Sequence, residues 1–335
     1  MAVTISEIAK KAGVGVGTVS RYLNNQPHIS ESKKELIKNA IRDLDYTPSV
    51  IAAQLRSKST KNIGFLVSRI SNPFLSNLFD VCETRLNELG YQVFVTQTHD
   101  DSSAEQRFLE KLKTHQVDGV IMASVENELL VADMAQEYAD KIVVFNEHID
   151  NSNLKCVVLN HYQATYDALQ YLYGKGKRHI AYATGGEYND SSHGQSRTRA
   201  YKDFCQQYQL EIEPEYIYTR AHTINDGIAI GKHIGKSPAK NQPDAVFANS
   251  DEVAIGLIDS LRKQQIKVPE DIAVVGYDDQ PMAEFSEIPL TTIQQPIQEM
   301  ADVAISLLMQ GLTNNKKIQQ ENEKLALRLI VRASA

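Results

Sequence analysis

A small all-α unit followed by a larger α/β unit, built from two doubly wound subdomains with parallel sheets, is the fold class this 335-residue sequence predicts. Three observations carry it. Up to Leu44, apolar residues recur at helical spacing in three short blocks. From Asn62 onward, apolar runs of strand length alternate with amphipathic segments, the pattern of βα units covered on both faces of a sheet. The charge is also unevenly divided: residues 1–60 hold nine Lys/Arg against five Asp/Glu, a net +4, while the remainder carries −11. A small basic head on an acidic body is the electrostatic footprint of a unit that meets phosphates and a body that stays off them.

The first helix starts near Ser6. Thr4 with Glu7 three residues on makes a capping box, Ile5, Ile8, Ala9 and Ala12 share a face, and Gly13 ends the helix. After the turn AGVG, Val16 to Leu23 restarts a helical pattern with Val19, Tyr22 and Leu23 on one face and Thr18, Ser20 and Arg21 toward another. Helix, tight turn and helix form a helix-turn-helix, whose second helix can enter a major groove. The glycines of GVGVGT also resemble a phosphate loop, but that fingerprint needs a buried strand before it; here an amphipathic helix with Lys10 and Lys11 precedes it.

Ser30 is a suitable N-cap for a third helix through about Leu44, with Leu36, Ile37, Ala40, Ile41 and Leu44 as its apolar face. The breaker Tyr46-Thr47-Pro48-Ser49 follows, then Val50 to Arg56, too short to hold as an isolated helix in water. Pro48 and the run Lys58-Ser59-Thr60-Lys61 suit an interdomain linker equally well. Beyond it come the strand-like runs IGFLVS, YQVFVTQ, VDGVIMA, KIVVFN and CVVLN, and a second series HIAYATG, YIYT, AVFAN and IAVVGY. Each series is the size of one doubly wound subdomain.

The stretch T-I-S-E-I-A-K-K-A-G-V-G-V-G-T-V-S-R-Y-L-N resembles the headpiece signature of the LacI/GalR family of bacterial regulators. That resemblance implies base-reading positions at Val16, Gly17 and Arg21, and phosphate contacts at Thr4, Thr18, Ser20 and Asn24. Gly15 stands where the family usually has Ser. Gly17 offers no side chain to a base edge, so readout should lean on Arg21 and Val16. Val50 to Arg56 resembles the family's hinge helix, in which Leu55 matches a residue that wedges into the minor groove.

The body is similar to the periplasmic-binding-protein type I fold of the same family, and its closing stretch, Gly276 to Leu312, matches the family wording closely. The organisation implied is a DNA-binding domain over 1–46, a hinge or linker over 47–60, and an effector-binding and dimerisation domain over 61–335. Within the last, about 61–160 plus 290–335 form one subdomain and about 161–289 the other. The last strand, LALRLIVRASA, leaves no room for an added tetramer helix, and a homodimer on a pseudo-palindromic operator is the expected assembly.

Ligands of open α/β sheets bind beyond the carboxyl ends of strands. Polar residues stand there that could bridge sugar hydroxyls: Asn146, Asn160, Ser250 after Asn249, and Asp278. Phe74 could pack on a sugar face and Arg197, in R-T-R-A-Y, matches the family's ligand-binding Arg. Alternative roles are core packing for Phe74, a solvated helix charge for Arg197 and a helix N-cap for Asp251. Asn146 and Asn160 stand where many sugar-binding relatives carry Asp.

No Cys/His spacing suggests a metal, and no cofactor is expected. Cys82, Cys156 and Cys205 lie in apolar runs and read as buried thiols. No apolar run approaches the length of a membrane span and no signal-peptide core is evident, so a cytoplasmic protein is expected. The nine His are dispersed without a nucleophile motif, which argues against an enzyme. The reading is a transcription repressor of carbohydrate-utilisation genes controlled by a small sugar or sugar phosphate. Its alternatives are a catabolite-control regulator answering to a phosphoprotein, and a sugar-binding protein without DNA function.

Overall fold

The computed structural model describes residues 3–23, 26–46, 59–146, 149, 153–188, 194–313 and 325–335. Asn24 and the hinge segment with Leu55 lie outside the described residues. The chain divides into two units, Met1–Thr60 and Lys61–Ala335.

In the first unit, α1 (Ile5–Ala12) is capped by the Thr4/Glu7 box and closed by Gly13, whose φ of 66° is the left-handed conformation that glycine adopts without a Cβ penalty. Next come α2 (Val16–Leu23) and α3 (Glu31–Asp43). Ile8, Ala9, Ala12, Val19, Ile37 and Ala40 are the buried core they share, with Tyr22, Leu23 and Leu44 packed around it. Helices this short are not stable alone, so this core holds them.

The second unit holds two sheets. Five parallel strands form the first, in the order β2-β1-β3-β4-β5: β1 (Asn62–Val67), β2 (Gln92–Gln97), β3 (Gly119–Met122), β4 (Ile142–Phe145) and β5 (Lys155–Val157). Its buried strands are apolar on both faces. Phe65, Val67, Ile121, Val143 and Phe145 enter one core, and Leu66, Val120, Met122, Ile142 and Val144 enter the other. Edge strand β2 differs, leaving Phe94 52% and Val95 41% exposed.

The second sheet has the order β11-β10-β9-β8-β6-β7, with β6 (Ile180–Ala183), β7 (Ile217–Tyr218), β8 (Ala245–Ala248), β9 (Ala273–Asp278), β10 (Thr291–Gln294) and β11 (Arg328–Ile330). Only β11 runs antiparallel to its neighbour. Alternation repeats: Ala181, Ala183, Val246 and Val274 face one core, and Tyr182, Phe247, Val275 and Tyr277 the other. On one face, the helices Ile224–Lys236 and Asp251–Lys263 meet backbone to backbone. A Cβ on Gly227 would lie 2.1 Å from the Val253 carbonyl oxygen, and one on Gly256 equally close to that of Ile224.

The sequence assigns residues 290–335 to the first subdomain, and the structure divides them instead. The helix Ile297–Thr313 packs into the first core through Met300, Ala301, Ala304, Ile305 and Leu308. Strands β10 and β11 belong to the second sheet, where β10 pairs in parallel with β9. Family wording locates a returning segment without saying which sheet's edge each strand completes; hydrogen bonding to β9 decides it. Cys82 and Cys205 are buried thiols, whereas Cys156 is half-buried. Among the described residues, no helix is long and apolar enough to cross a membrane.

Candidate functional site

The carboxyl ends of strands from both sheets converge on a cavity of about 360 Å³. From the first sheet come Ser68 and Arg69 after β1, Ala123 and Ser124 after β3, Asn146 after β4, and Val158 and Leu159 after β5. From the second come Gly185 and Gly186 after β6, Asn249 and Ser250 after β8, and Asp278 at the end of β9. Parallel strands place all these ends on the same edge of each sheet, which is why open α/β sheets collect ligands there.

His161 opens the helix α4 (His161–Gly174) and stands at the centre of a polar bridge. Its Nε2 lies 3.2 Å from the Asn146 side-chain oxygen and its Nδ1 2.6 Å from the Tyr277 hydroxyl. An amide oxygen only accepts, so Nε2 carries the proton, and a neutral ring then accepts at Nδ1 from the tyrosine. Burial, aided by the Arg197 charge, lowers its pKa to about 3, so the neutral form prevails. Asn146 reaches this geometry with a φ of 63°, a left-handed conformation that Asn tolerates better than most residues.

Arg197 belongs to the helix Gln195–Gln207. Its guanidinium carbon lies 4.7 Å from the centre of the Tyr277 ring, and it donates to the Asn249 carbonyl oxygen at 3.1 Å. Asp278 is buried and accepts from the Gln295 amide at 2.7 Å. Desolvation, reinforced by the nearby Asp251 carboxyl, pushes its pKa well above the usual carboxylate range. Asp251 takes the Gln280 N–H at 2.7 Å and the Thr292 hydroxyl at 2.5 Å, joining the ends of β8, β9 and β10; burial raises it to about 7. The Asp251 cap expected from sequence falls to Ser250 instead, whose hydroxyl accepts from the Val253 N–H while the residue lines the cavity.

Of the residues expected at the ligand, Phe74, Asn146, Arg197, Ser250 and Asp278 line this cavity. Phe74 also belongs to the first core. Asn160 does not line it: its side chain turns back to accept from the Gln163 N–H at 3.0 Å and caps α4. A residue ending a strand and starting a helix can serve either element, and here the cap wins. Sequence reasoning missed Arg69, Ser124, His161, Tyr277 and Gln295. Tyr277 and Gln295 lie inside the closing stretch Gly276 to Leu312 that matches the family wording, but Arg69 and Ser124 are marked only by their place just past a strand.

In the head, Val16, Gly17 and Arg21 of α2 are exposed, and Arg21 Nε donates to the Gly17 carbonyl oxygen at 3.3 Å. Thr18 and Ser20 are half-buried beside them. Thr4, expected at phosphate, has its hydroxyl engaged with the Glu7 carboxylate at 2.9 Å in the capping box.

Residues 4–49 match the family described as bacterial regulatory proteins, lacI family, and residues 169–335 match the periplasmic binding protein-like domain. The chain is 32% identical over 331 residues to the NTD biosynthesis operon regulator NtdR of Bacillus subtilis, covering 99% of each. It is 32% identical to the ribose operon repressor of Escherichia coli, again covering 99% of each chain. A LacI family transcriptional regulator from Lactobacillus casei, solved with bound sucrose, is 48% identical with a TM-score of 0.79, covering 82% of this chain and 99% of that one. The same regulator was solved with bound glucose. The lac repressor dimer bound to operator and the anti-inducer ONPF shares the fold, with a TM-score of 0.83 over 100% of this chain and 99% of that one at 22% identity. With full-length identity above 30% and a matching headpiece, the chain belongs to the LacI family of DNA-binding transcription regulators.

Proposed function

We propose that this protein represses carbohydrate-utilisation genes by binding a pseudo-palindromic operator as a homodimer, under the control of a small sugar held in the cavity of the second unit. The observation that carries the proposal is the cavity lining. Amides, hydroxyls, a carboxyl and a stacked arginine face one another across the ends of two sheets, a donor and acceptor set suited to neighbouring hydroxyls. Val16 and Arg21 on the exposed face of α2 support base reading, and the exposed Phe94 and Val95 of β2 support a partner copy along that edge. Sugar bound to both walls would change the relation of the subdomains and thereby the spacing of two heads on DNA.

The test is a thermal-shift panel of sugars followed by operator binding with and without the hit. At a hundredfold its dissociation constant a ligand stabilises by roughly 2.7 kcal/mol. A panel without any shift, or a hit that leaves operator affinity unchanged, would overturn the reading.

A further inference from the structure

Resting on that reading, we infer that the cavity selects an uncharged, hydroxyl-rich sugar and rejects its phosphorylated form. Three buried polar atoms of the lining have no hydrogen-bond partner among the described residues. Asn249 Nδ2 donates to the Ala221 carbonyl oxygen at 2.8 Å, which can only accept; this fixes the amide and leaves Oδ1 as a buried acceptor with no donor. Gln295 repeats the arrangement. Its Nε2 donates to Asp278 at 2.7 Å, and its Oε1 is buried without a donor. On the other wall, the Ser124 hydroxyl after β3 is also buried and unpartnered. All three residues line the cavity. Such atoms are costly to leave unmet, and an occupant carrying O–H donors meets them.

A phosphate monoester supplies the opposite chemistry. Its oxygens accept hydrogen bonds and carry charge, so it needs uncommitted N–H donors and cations. Both cations of the lining are already engaged. Arg69 is ion-paired with Asp100, and Arg197 is stacked on Tyr277 and bonded to the Asn249 carbonyl. Among the described residues that line the cavity there is no lysine, and His161 is held neutral. Asp100 and Glu128 place two further carboxyl groups around the same space. The N-terminus of the helix Gln195–Gln207, at Gln195 and Ser196, and the His222 ring beside Asp226 are the features of the lining that favour an anion, and they stand against those carboxyls and acceptors.

Calorimetric titration of the full-length protein with glucose and sucrose, each paired with its 6-phosphate, tests this. The neutral member of a pair is expected to bind at least about tenfold more tightly. A 6-phosphate that binds as well as or better than its neutral partner would overturn the inference while leaving the sugar reading intact. A panel in which no neutral or phosphorylated carbohydrate binds would remove the sugar reading, and this inference with it. In Gln295→Leu the neutral sugar should bind about tenfold more weakly, because an acceptor is gone. Unchanged affinity in that variant would mean that its orphaned oxygen does not select the ligand.

Discussion

The Tyr277 hydroxyl donates to His161 Nδ1 at 2.6 Å, and the other ring nitrogen of His161 reaches Asn146. Tyr277 stands on β9 of the second sheet and Asn146 follows β4 of the first, so one neutral imidazole ties the ends of two sheets together at the cavity floor. Replacing His161 by Leu keeps a side chain of comparable bulk and strands the buried Tyr277 hydroxyl and the half-buried Asn146 amide. The expected cost is about 1–3 kcal/mol, the penalty of leaving such groups unsatisfied, read by urea denaturation. A loss below about 0.5 kcal/mol would mean that water replaces the ring at no cost.

The buried titratable groups oppose one another in pH. Asp251 is raised from 3.8 to about 7. The folded state therefore holds a proton that the unfolded chain has released, and stability falls as pH rises from about 4 to 7, by at most about 1.4 kcal/mol per unit. His161 acts in the other sense. Its pKa falls from 6.5 to about 3, so its contribution is complete above 6.5 and is lost as pH drops below it. Comparing wild type with Asp251→Asn isolates the first effect: the stability difference between them should move against wild type as pH increases through this window. Parallel pH profiles from 4.5 to 8 would mean that Asp251 stays charged in the fold.

Much of this was legible in the sequence because it lies in local patterns. The Thr4/Glu7 box, the glycine after α1 and the period change at Asn62 each rest on a few adjacent residues. The strand-end positions of Asn146 and Asp278 follow from the same periodicity. What was not legible depends on contacts between distant residues. Asn160 and Asn146 both end an apolar run, yet one caps a helix and the other meets His161, and nothing local distinguishes them. Ser124 and Gln295 matter only because two sheets face each other. Assignment of β10 and β11 to the second sheet likewise rests on pairing, of β10 with β9 and of β11 with β10, not on their own composition.

Arg21 is exposed on α2 between the half-buried Ser20 and Tyr22, and Gly17, one turn earlier among the positions expected to read bases, has no side chain. A guanidinium can contact O6 and N7 of guanine together, a contact worth about 1–3 kcal/mol of discrimination. Arg21→Ala should therefore lose affinity on that scale and relax the preference at one base pair in each half-site. Selection of bound sequences from a random pool measures it, and an unchanged consensus would make Arg21 a phosphate contact.

Arg197 and Asp278 test whether the second unit is a sensor. Arg197 holds the Tyr277 ring and the Asn249 carbonyl, while the Asp278 carboxyl accepts from the Gln295 amide. Asp278→Asn is the sharper variant. Asn keeps an oxygen for Gln295, tolerates the positive φ of 105° at this position, and matches the neutral carboxyl that burial favours before a ligand meets it. It cannot supply a carboxylate to a ligand hydroxyl. Losing a charged partner typically costs about 1.5–3 kcal/mol, roughly ten- to a hundredfold in affinity. Operator binding would be followed while the active sugar is raised, with operator affinity at zero sugar reporting whether each variant is folded. The dose curves of Asp278→Asn and Arg197→Ala should shift to higher sugar by that factor. Coincidence with wild type would move the site elsewhere, and loss of operator binding in both would assign these residues to the frame of the fold.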